Sequence, residues 1–433
     1  MELLIKGARV IDAATATDKT ADILVKDGVI AKVAEHIKSP AVTTIEAQGL
    51  VALPGLIDMH THLRQPGRED EETIHTGQQA AVKGGFSCVA AMANTSPAID
   101  NEGMVKFVYE EAAKTGLIDV LPVAAITKAR AGEELTEMIK LAQAGAVAFS
   151  DDGGSVKNSM LMRRALEYAK MTDKVVISHC EDPYLKEGGL VNEGVMSTKL
   201  GLAPIPREAE IIMVSRDIWL AHLTGARLHI AHVSTKEALA LIRQAKAQGI
   251  RVTCETCPHY FTLTDERLSA YDTRLKVSPP IRTAQDVEAV MQGLKDGTID
   301  VIASDHAPHT SWEKDVEFER AAFGMVGLET TLGLVVGELV GKKVLSLHEV
   351  AQKLSYNPAK ILGLNKGSLE EKKDADILLL NQDKEWTVDS RHFLSKSKNT
   401  PFDGWRLKGA PEYVIAKGAI VLNKGKVVHE KNK

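Results

Sequence analysis

No stretch of this 433-residue chain comes near the ~20 consecutive apolar residues that a membrane-spanning helix needs. The start, Met1-Glu-Leu-Leu-Ile-Lys6, lacks the basic segment and long apolar core of a secretory signal. Cysteine is scarce, and four residues in a chain of this size make no disulfide framework. Cys254 and Cys257 are spaced C-x-x-C, but a single pair with Pro258-His259 directly behind it reads as reduced thiols near a strand end. Neither sign of charge dominates. Lys+Arg 53 against Asp+Glu 58 leaves a formal charge of -5, which favours neither nucleic acid nor an anionic membrane surface. Short-period repeats and low-complexity tracts are missing as well. A cytoplasmic protein is expected, in which any small anionic ligand must be held by local cations.

What is present is a large apolar fraction, 44%, arranged in a regular alternation. Strand-like runs are predicted at 51–60, 86–93, 118–126, 146–151, 174–179, 227–233, 251–257 and 299–304. Between them lie helical patterns such as Glu71 to Lys83, Glu102 to Lys114, Ser159 to Lys170, Arg207 to Leu223, Thr235 to Gln248 and Ala284 to Lys295. Eight β–α units with apolar strands predict an α/β fold, a (β/α)8 barrel of the TIM type. Both ends of the chain read instead as short β segments, among them Leu3 to Val10, Val29 to Val33, Asp376 to Leu380 and Ala419 to Leu422. Neither end has enough strands to hide an apolar face alone, so the two are expected to join in a second, small β-sandwich domain. The expected division is 1–53 and 365–433 for the two parts of that composite domain, and 54–364 for the barrel.

Most of the strand-like runs end in a metal-ligand type of side chain. The first ends Asp58-Met-His60-Thr-His62, and on an extended strand residues i and i+2 face the same way, so His60 and His62 can reach one ion together. Later runs finish at Asp151-Asp152, His179, His232 and Asp305. A lone buried histidine is usually a core residue. Six ligand-type residues at the same end of different strands describe a hydrolytic metal centre at the mouth of a barrel. Alternation leaves the choice between Asp151 and Asp152 open, and it turns His229 away from His232, towards packing outside the barrel. His36, His75, His222, His348, His392 and His429 fall in helical or peripheral contexts and are read as surface or structural.

Asp58-Met-His60-Thr-His62-Leu-Arg64-Gln-Pro-Gly67, Met92-Ala-Asn94-Thr95, Ser178-His179-Cys-Glu181, Glu255-Thr-Cys-Pro258-His259, Ser304-Asp305-His-Ala-Pro308-His309 and Phe323-Gly-Met-Val-Gly-Leu-Glu329 carry a resemblance. Together, and nearly end to end, the chain resembles the dihydroorotases, cyclic amidohydrolases of the amidohydrolase superfamily. The run Gly145-Ala-Val-Ala-Phe-Ser150-Asp-Asp has no lysine to carboxylate, which is similar to the type I bacterial branch. There an aspartate takes that place, and the motif match assigns it to Asp152.

The resemblance implies reversible hydrolysis of dihydroorotate to N-carbamoyl-L-aspartate in de novo pyrimidine biosynthesis. The alternatives are another cyclic-amide hydrolase (hydantoinase, allantoinase or dihydropyrimidinase-like), or a non-catalytic scaffold for aspartate carbamoyltransferase. Zinc is the implied ion, one or two per chain with two expected: one on His60, His62, Asp152 and Asp305, the other on Asp152, His179 and His232. Asp305 would serve as general base and then acid for a metal-activated water. Arg64, Asn94 and His309 would clamp the substrate carboxylate beside His62, while Ser278, Phe323 and Gly324 would read the ring edge. A homodimer and an association with aspartate carbamoyltransferase are implied as well. The chain departs from the family pattern at Gln65, Ala93, Ser96, Ser278 and Ala322, and Ser278 stands where asparagine is usual.

Overall fold

The computed structural model describes residues 2–40 and 43–428; His429 lies outside the described residues. Eight parallel strands run in the order Leu56–Thr61, Phe86–Ala91, Asp119–Ala124, Ala148–Phe149, Val175–Ser178, Leu228–Ile230, Val252–Thr256 and Val301–Ile302. They are called barrel strands one to eight below. The first and eighth meet through a parallel bridge between Thr61 and His306, and the His62 amide donates to the His306 carbonyl at 2.8 Å. The (β/α)8 barrel predicted from the alternation is the fold observed. Every residue of strands one and two is buried, as expected where helices cover the outside and side chains fill the inside.

The helices begin where capping chemistry allows. Ile74–Gly84 starts at Thr73, whose side chain caps Thr76, so Glu71 and Glu72 fall in the preceding loop rather than in the helix. Both carboxylates are buried there, Glu71 facing Arg64 and His309 and Glu72 facing His306. Lys236–Ala247 starts at Thr235 and Ala284–Lys295 at Thr283, close to the predicted boundaries.

The run predicted as one strand over 51–60 is two. Val51–Pro54 pairs with Ile377–Leu380 and with Arg9–Val10 in a separate nine-stranded sheet, and the chain then crosses at Gly55 into the barrel. A Cβ at Gly55 would sit 2.2 Å from Ser87 Oγ and 2.7 Å from Ser87 Cβ, so only glycine lets the crossing lie this close to strand two. The nine-stranded sheet joins both ends of the chain around its own apolar cluster, which includes Leu3, Ile5, Val10, Ile23, Ile30, Ile377, Leu379 and Ile415. No helix among the described residues is long and apolar enough to cross a membrane.

Candidate active site

The carboxyl ends of the barrel strands bring His60, His62, Asp152, His179, His232 and Asp305 together. Asp152 lies at the middle. Its Oδ2 faces His60 Nε2 at 3.3 Å and His62 Nε2 at 3.4 Å, and its Oδ1 faces His179 Nδ1 and His232 Nε2, both at 3.4 Å. Each oxygen therefore serves a different pair of imidazoles. Asp305 Oδ1 closes the first pair, 3.1 Å from His62 Nε2 and 3.5 Å from His60 Nε2. Asp151, the alternative, turns away. Its Oδ1 accepts from the Ile126 and Thr127 amides at 2.8 and 3.0 Å, and its Oδ2 accepts from Thr127 Oγ1 at 2.5 Å.

Acceptors behind the imidazoles set which nitrogen faces inward. His60 Nδ1 donates to Glu255 Oε1 at 2.5 Å, His62 Nδ1 to Asn94 Oδ1 at 2.8 Å, and His179 Nε2 to Glu181 Oε2 at 3.1 Å. In each case the other nitrogen is turned to the centre, that of His179 also lying 2.8 Å from His232 Nε2, the arrangement in which outer acceptors orient metal-binding histidines. His60 Nε2 and Asp152 Oδ1, both turned to the centre, are buried without a hydrogen-bond partner, as is His232 Nδ1, the ring nitrogen not turned to Asp152. Polar atoms so placed cost free energy unless something compensates them, and a cation would compensate the inward lone pairs at once. Two groups here, His60/His62/Asp305 and His60/Asp152/His232, have ligand atoms close enough to hold a metal ion. Electrostatics point the same way. Burial alone would push His60 down, yet Asp152, Glu255 and Asp305 draw it well above the usual imidazole range, so positive charge is favoured at this point. Burial would likewise raise Asp305, but His60 and His62 outweigh it and hold the carboxyl below its ordinary range.

Three residues at this face adopt a left-handed backbone that non-glycine residues rarely take: Arg64 at φ 60°, His232 at 35° and Asp305 at 48°. Such conformations cost on the order of 1–3 kcal/mol each and persist where surrounding contacts enforce them. At His232 the consequence is local. Strand six ends at Ile230, so the twist just beyond it breaks the two-residue alternation, and His229 does not pack outside the barrel as predicted. It bonds Glu255 Oε2 through Nε2 at 3.1 Å and Thr253 Oγ1 through Nδ1 at 2.8 Å, completing a buried chain His60–Glu255–His229–Thr253.

Over the centre lies a cavity of about 210 Å³, lined by all seven residues read as substrate contacts: His62, Arg64, Asn94, Ser278, His309, Phe323 and Gly324. Arg64 pairs through Nε with Glu71 Oε2 at 3.0 Å, and its Nη2 lies 3.3 Å from His309 Nε2. His309 Nδ1 in turn faces Glu71 Oε1 at 3.0 Å. One buried carboxylate thus steadies both the arginine and the histidine. The Phe323–Gly324 backbone is engaged by the protein itself, with the Phe323 carbonyl 2.8 Å from His309 Nε2 and the Gly324 amide donating to the Lys276 carbonyl at 2.8 Å. Gly324 sits at φ 139°, and a Cβ there would come within 2.7 Å of Ala307 Cβ, so glycine lets this loop lie against the segment that follows strand eight.

Sequence reasoning missed Glu255, Glu181, Glu71 and Lys186. Glu255 and Glu181 stood inside quoted motifs, and Glu255 shares strand parity with Thr253, but nothing in the sequence says which histidine each would meet. Glu255→Gln is expected to weaken metal retention by about 10- to 100-fold, the range for outer-shell changes. Dialysis against graded chelator, with metal analysis of both proteins, checks it; retention equal to wild type would refute an orienting role.

A (β/α)8 barrel with a His/Asp grouping at its mouth, joined to a sheet built from both termini, defines a cyclic amidohydrolase. Solved structures agree. The fold is similar to "L-Hydantoinase (Dihydropyrimidinase) from Arthrobacter aurescens" with a TM-score of 0.89 at 27% identity, covering 98% of this chain and 97% of that one. It is similar also to dihydropyrimidinase from Brevibacillus agri NCHU1002, with a TM-score of 0.87 at 25% identity, over 99% and 97% of the two chains. In sequence, the family described as "Dihydro-orotase-like" matches residues 49–238. A curated "Dihydroorotase" from Pelotomaculum thermopropionicum is 53% identical, covering 98% of this chain and 99% of its own length. Another from Acetivibrio thermocellus is 51% identical over 97% and 99%. The chain belongs to the dihydroorotase family.

Proposed function

We propose that this protein catalyses the reversible hydrolysis of dihydroorotate to N-carbamoyl-L-aspartate, with its named residues in the following roles. The observation that carries this reading is a half-buried guanidinium, Arg64, lining the same small cavity as Asp305 and Asp152, in a chain of this family. The substrate is a cyclic amide bearing a carboxylate. Arg64 presents a planar fork suited to that carboxylate, with Asn94 and His309 beside it. Glu71 holds Arg64 and His309 in position from behind. The neutral hydantoin ring offers this fork nothing to pair with, so the arginine favours dihydroorotate over the hydantoinase alternative.

His60, His62, Asp152 and Asp305 would hold one divalent cation, and Asp152, His179 and His232 a second; we read the ion as zinc because imidazole and carboxylate donors with open positions suit it. Such cations supply Lewis acidity for the ring carbonyl and lower the pKa of water. Asp305 accepts a proton from the attacking water as the water oxygen bonds to carbonyl C4. When the C4–N bond breaks, the same carboxyl returns the proton to the departing ring nitrogen. One water is consumed, one amide bond is opened, and the enzyme ends as it began. We extend the reading to a cytoplasmic homodimer that can associate with aspartate carbamoyltransferase.

The test is an assay of the purified protein on dihydroorotate, hydantoin and allantoin in parallel. Turnover confined to dihydroorotate supports the reading, and preference for either neutral ring refutes it. Arg64→Lys keeps the charge but loses the fork, and is expected to raise KM for dihydroorotate about ten-fold or more while metal content stays at the wild-type level. An unchanged KM would remove Arg64 from the clamp.

A further inference from the structure

Lys186 ends the short helix Pro183–Lys186, outside every motif that carries the resemblance, yet it lines the catalytic cavity. It also lines a larger neighbouring cavity of about 860 Å³ that shares Gly153, His179 and Phe323 with the first. Its ammonium therefore stands where the two spaces meet. Nζ donates to Glu181 Oε2 at 2.6 Å, contacts Ser278 Oγ, and lies 5.5 Å from the centre of the Phe323 ring. Ser278 Oγ donates to the same Glu181 oxygen.

Counting donors separates the roles of the two side chains. A serine hydroxyl has one proton, and that of Ser278 is directed to Glu181, so its side chain has none left for a ligand. An ammonium has three. Those of Lys186 serve Glu181 and the Ser278 oxygen, which leaves one N–H. The usual residue at position 278 is an asparagine, whose amide would bring donors of its own. Here the serine keeps its backbone place, and the donor nearest to it belongs to Lys186.

We infer that Lys186 is a substrate-contacting, specificity-determining residue, its remaining N–H donating to a carbonyl oxygen of a cyclic ureide held by its carboxylate at Arg64. The inference rests on the dihydroorotate reading above and deepens it. Two cations then line one cavity, each with its own part of the ligand. Arg64 takes the carboxylate and Lys186 a ring carbonyl, while Glu181 fixes the ammonium from the side of His179. A plain bracing role for Lys186 would instead act only on Glu181, and through it on His179.

The experiment measures kcat, KM and metal content for wild type, Lys186→Met and Lys186→Met/Ser278→Asn with dihydroorotate. We expect Lys186→Met to raise KM about ten-fold or more, the size of one lost charge-assisted hydrogen bond, with kcat within about three-fold and metal content unchanged. Adding Ser278→Asn should recover most of the lost KM, which a brace would not do. An unchanged KM, or a loss confined to kcat and metal content, overturns the inference. Should Lys186→Met fail to fold, Lys186→Gln keeps a donor without the charge. An intermediate KM there supports the contact, and a wild-type KM overturns it. Wild-type turnover in the same assay reports on the underlying reading: an inert wild type sinks both, whereas an active wild type with an unaffected variant sinks only this one.

Discussion

Asp305→Ala is expected to lose roughly three orders of magnitude or more in kcat while the protein folds normally, because general acid–base catalysis alone contributes about 10²–10⁴-fold. The carboxyl has two duties in this account. It faces His62 and His60 at 3.1 and 3.5 Å, as a ligand would, and it lines the cavity where the substrate amide must sit. Asp305→Asn separates the duties. The amide keeps the shape and one coordinating oxygen but cannot take and return a proton, so metal should be largely retained while turnover is lost. The left-handed backbone at this position adds little risk, since asparagine tolerates that region better than most residues. Turnover of Asp305→Asn within ten-fold of wild type would take the proton-transfer role away from this residue.

The second large effect belongs to Asp152. With one oxygen towards His60 and His62 and the other towards His179 and His232, it is the only carboxylate among the described residues within salt-bridge distance of all four imidazoles. Asp152→Asn removes the charge shared by both pairs. It should lower metal content by about half or more and reduce turnover by at least about 10²-fold, since the negative charge that faces all four imidazoles is lost. Asp151→Asn is the matched control. Asp151 caps the Ile126 and Thr127 amides and reaches none of the four histidines, so its change should cost stability and leave metal content intact. Full metal and full activity in Asp152→Asn, or metal loss in Asp151→Asn, would reverse the assignment.

Much of this site could be read from the sequence because strand periodicity is strict where strands are real. His60 and His62 share a face by simple alternation, and the ligand-type residues follow the apolar runs that became barrel strands. The reading failed where a strand is too short to carry a parity. Strand four is only Ala148–Phe149, so alternation could not choose between Asp151 and Asp152, and resemblance made the choice. Strand six stops at Ile230, so counting on to His232 sent His229 to the wrong side. The 51–60 run reads as one strand because both of its halves are buried, one in each sheet, although the expected domain division at 53/54 falls next to the change at Gly55. Glu71 and Lys186 gave no local signal, and Glu255 and Glu181, though inside quoted motifs, gave no sign of which histidine each meets. Their roles come from partners between 2 and 238 positions away, such as Glu255 with His60 and Glu71 with His309, and only folding brings most of them together.

The measurement closest to the central claim is a zinc titration of the chelator-treated protein, reading dihydroorotate turnover and bound metal in the same sample. A centre built on a shared Asp152 predicts that activity is absent without metal and rises to a plateau as about two ions per chain are taken up. Full turnover by protein shown to hold no metal, or a protein that takes up zinc at these histidines and stays inert towards dihydroorotate, would contradict it.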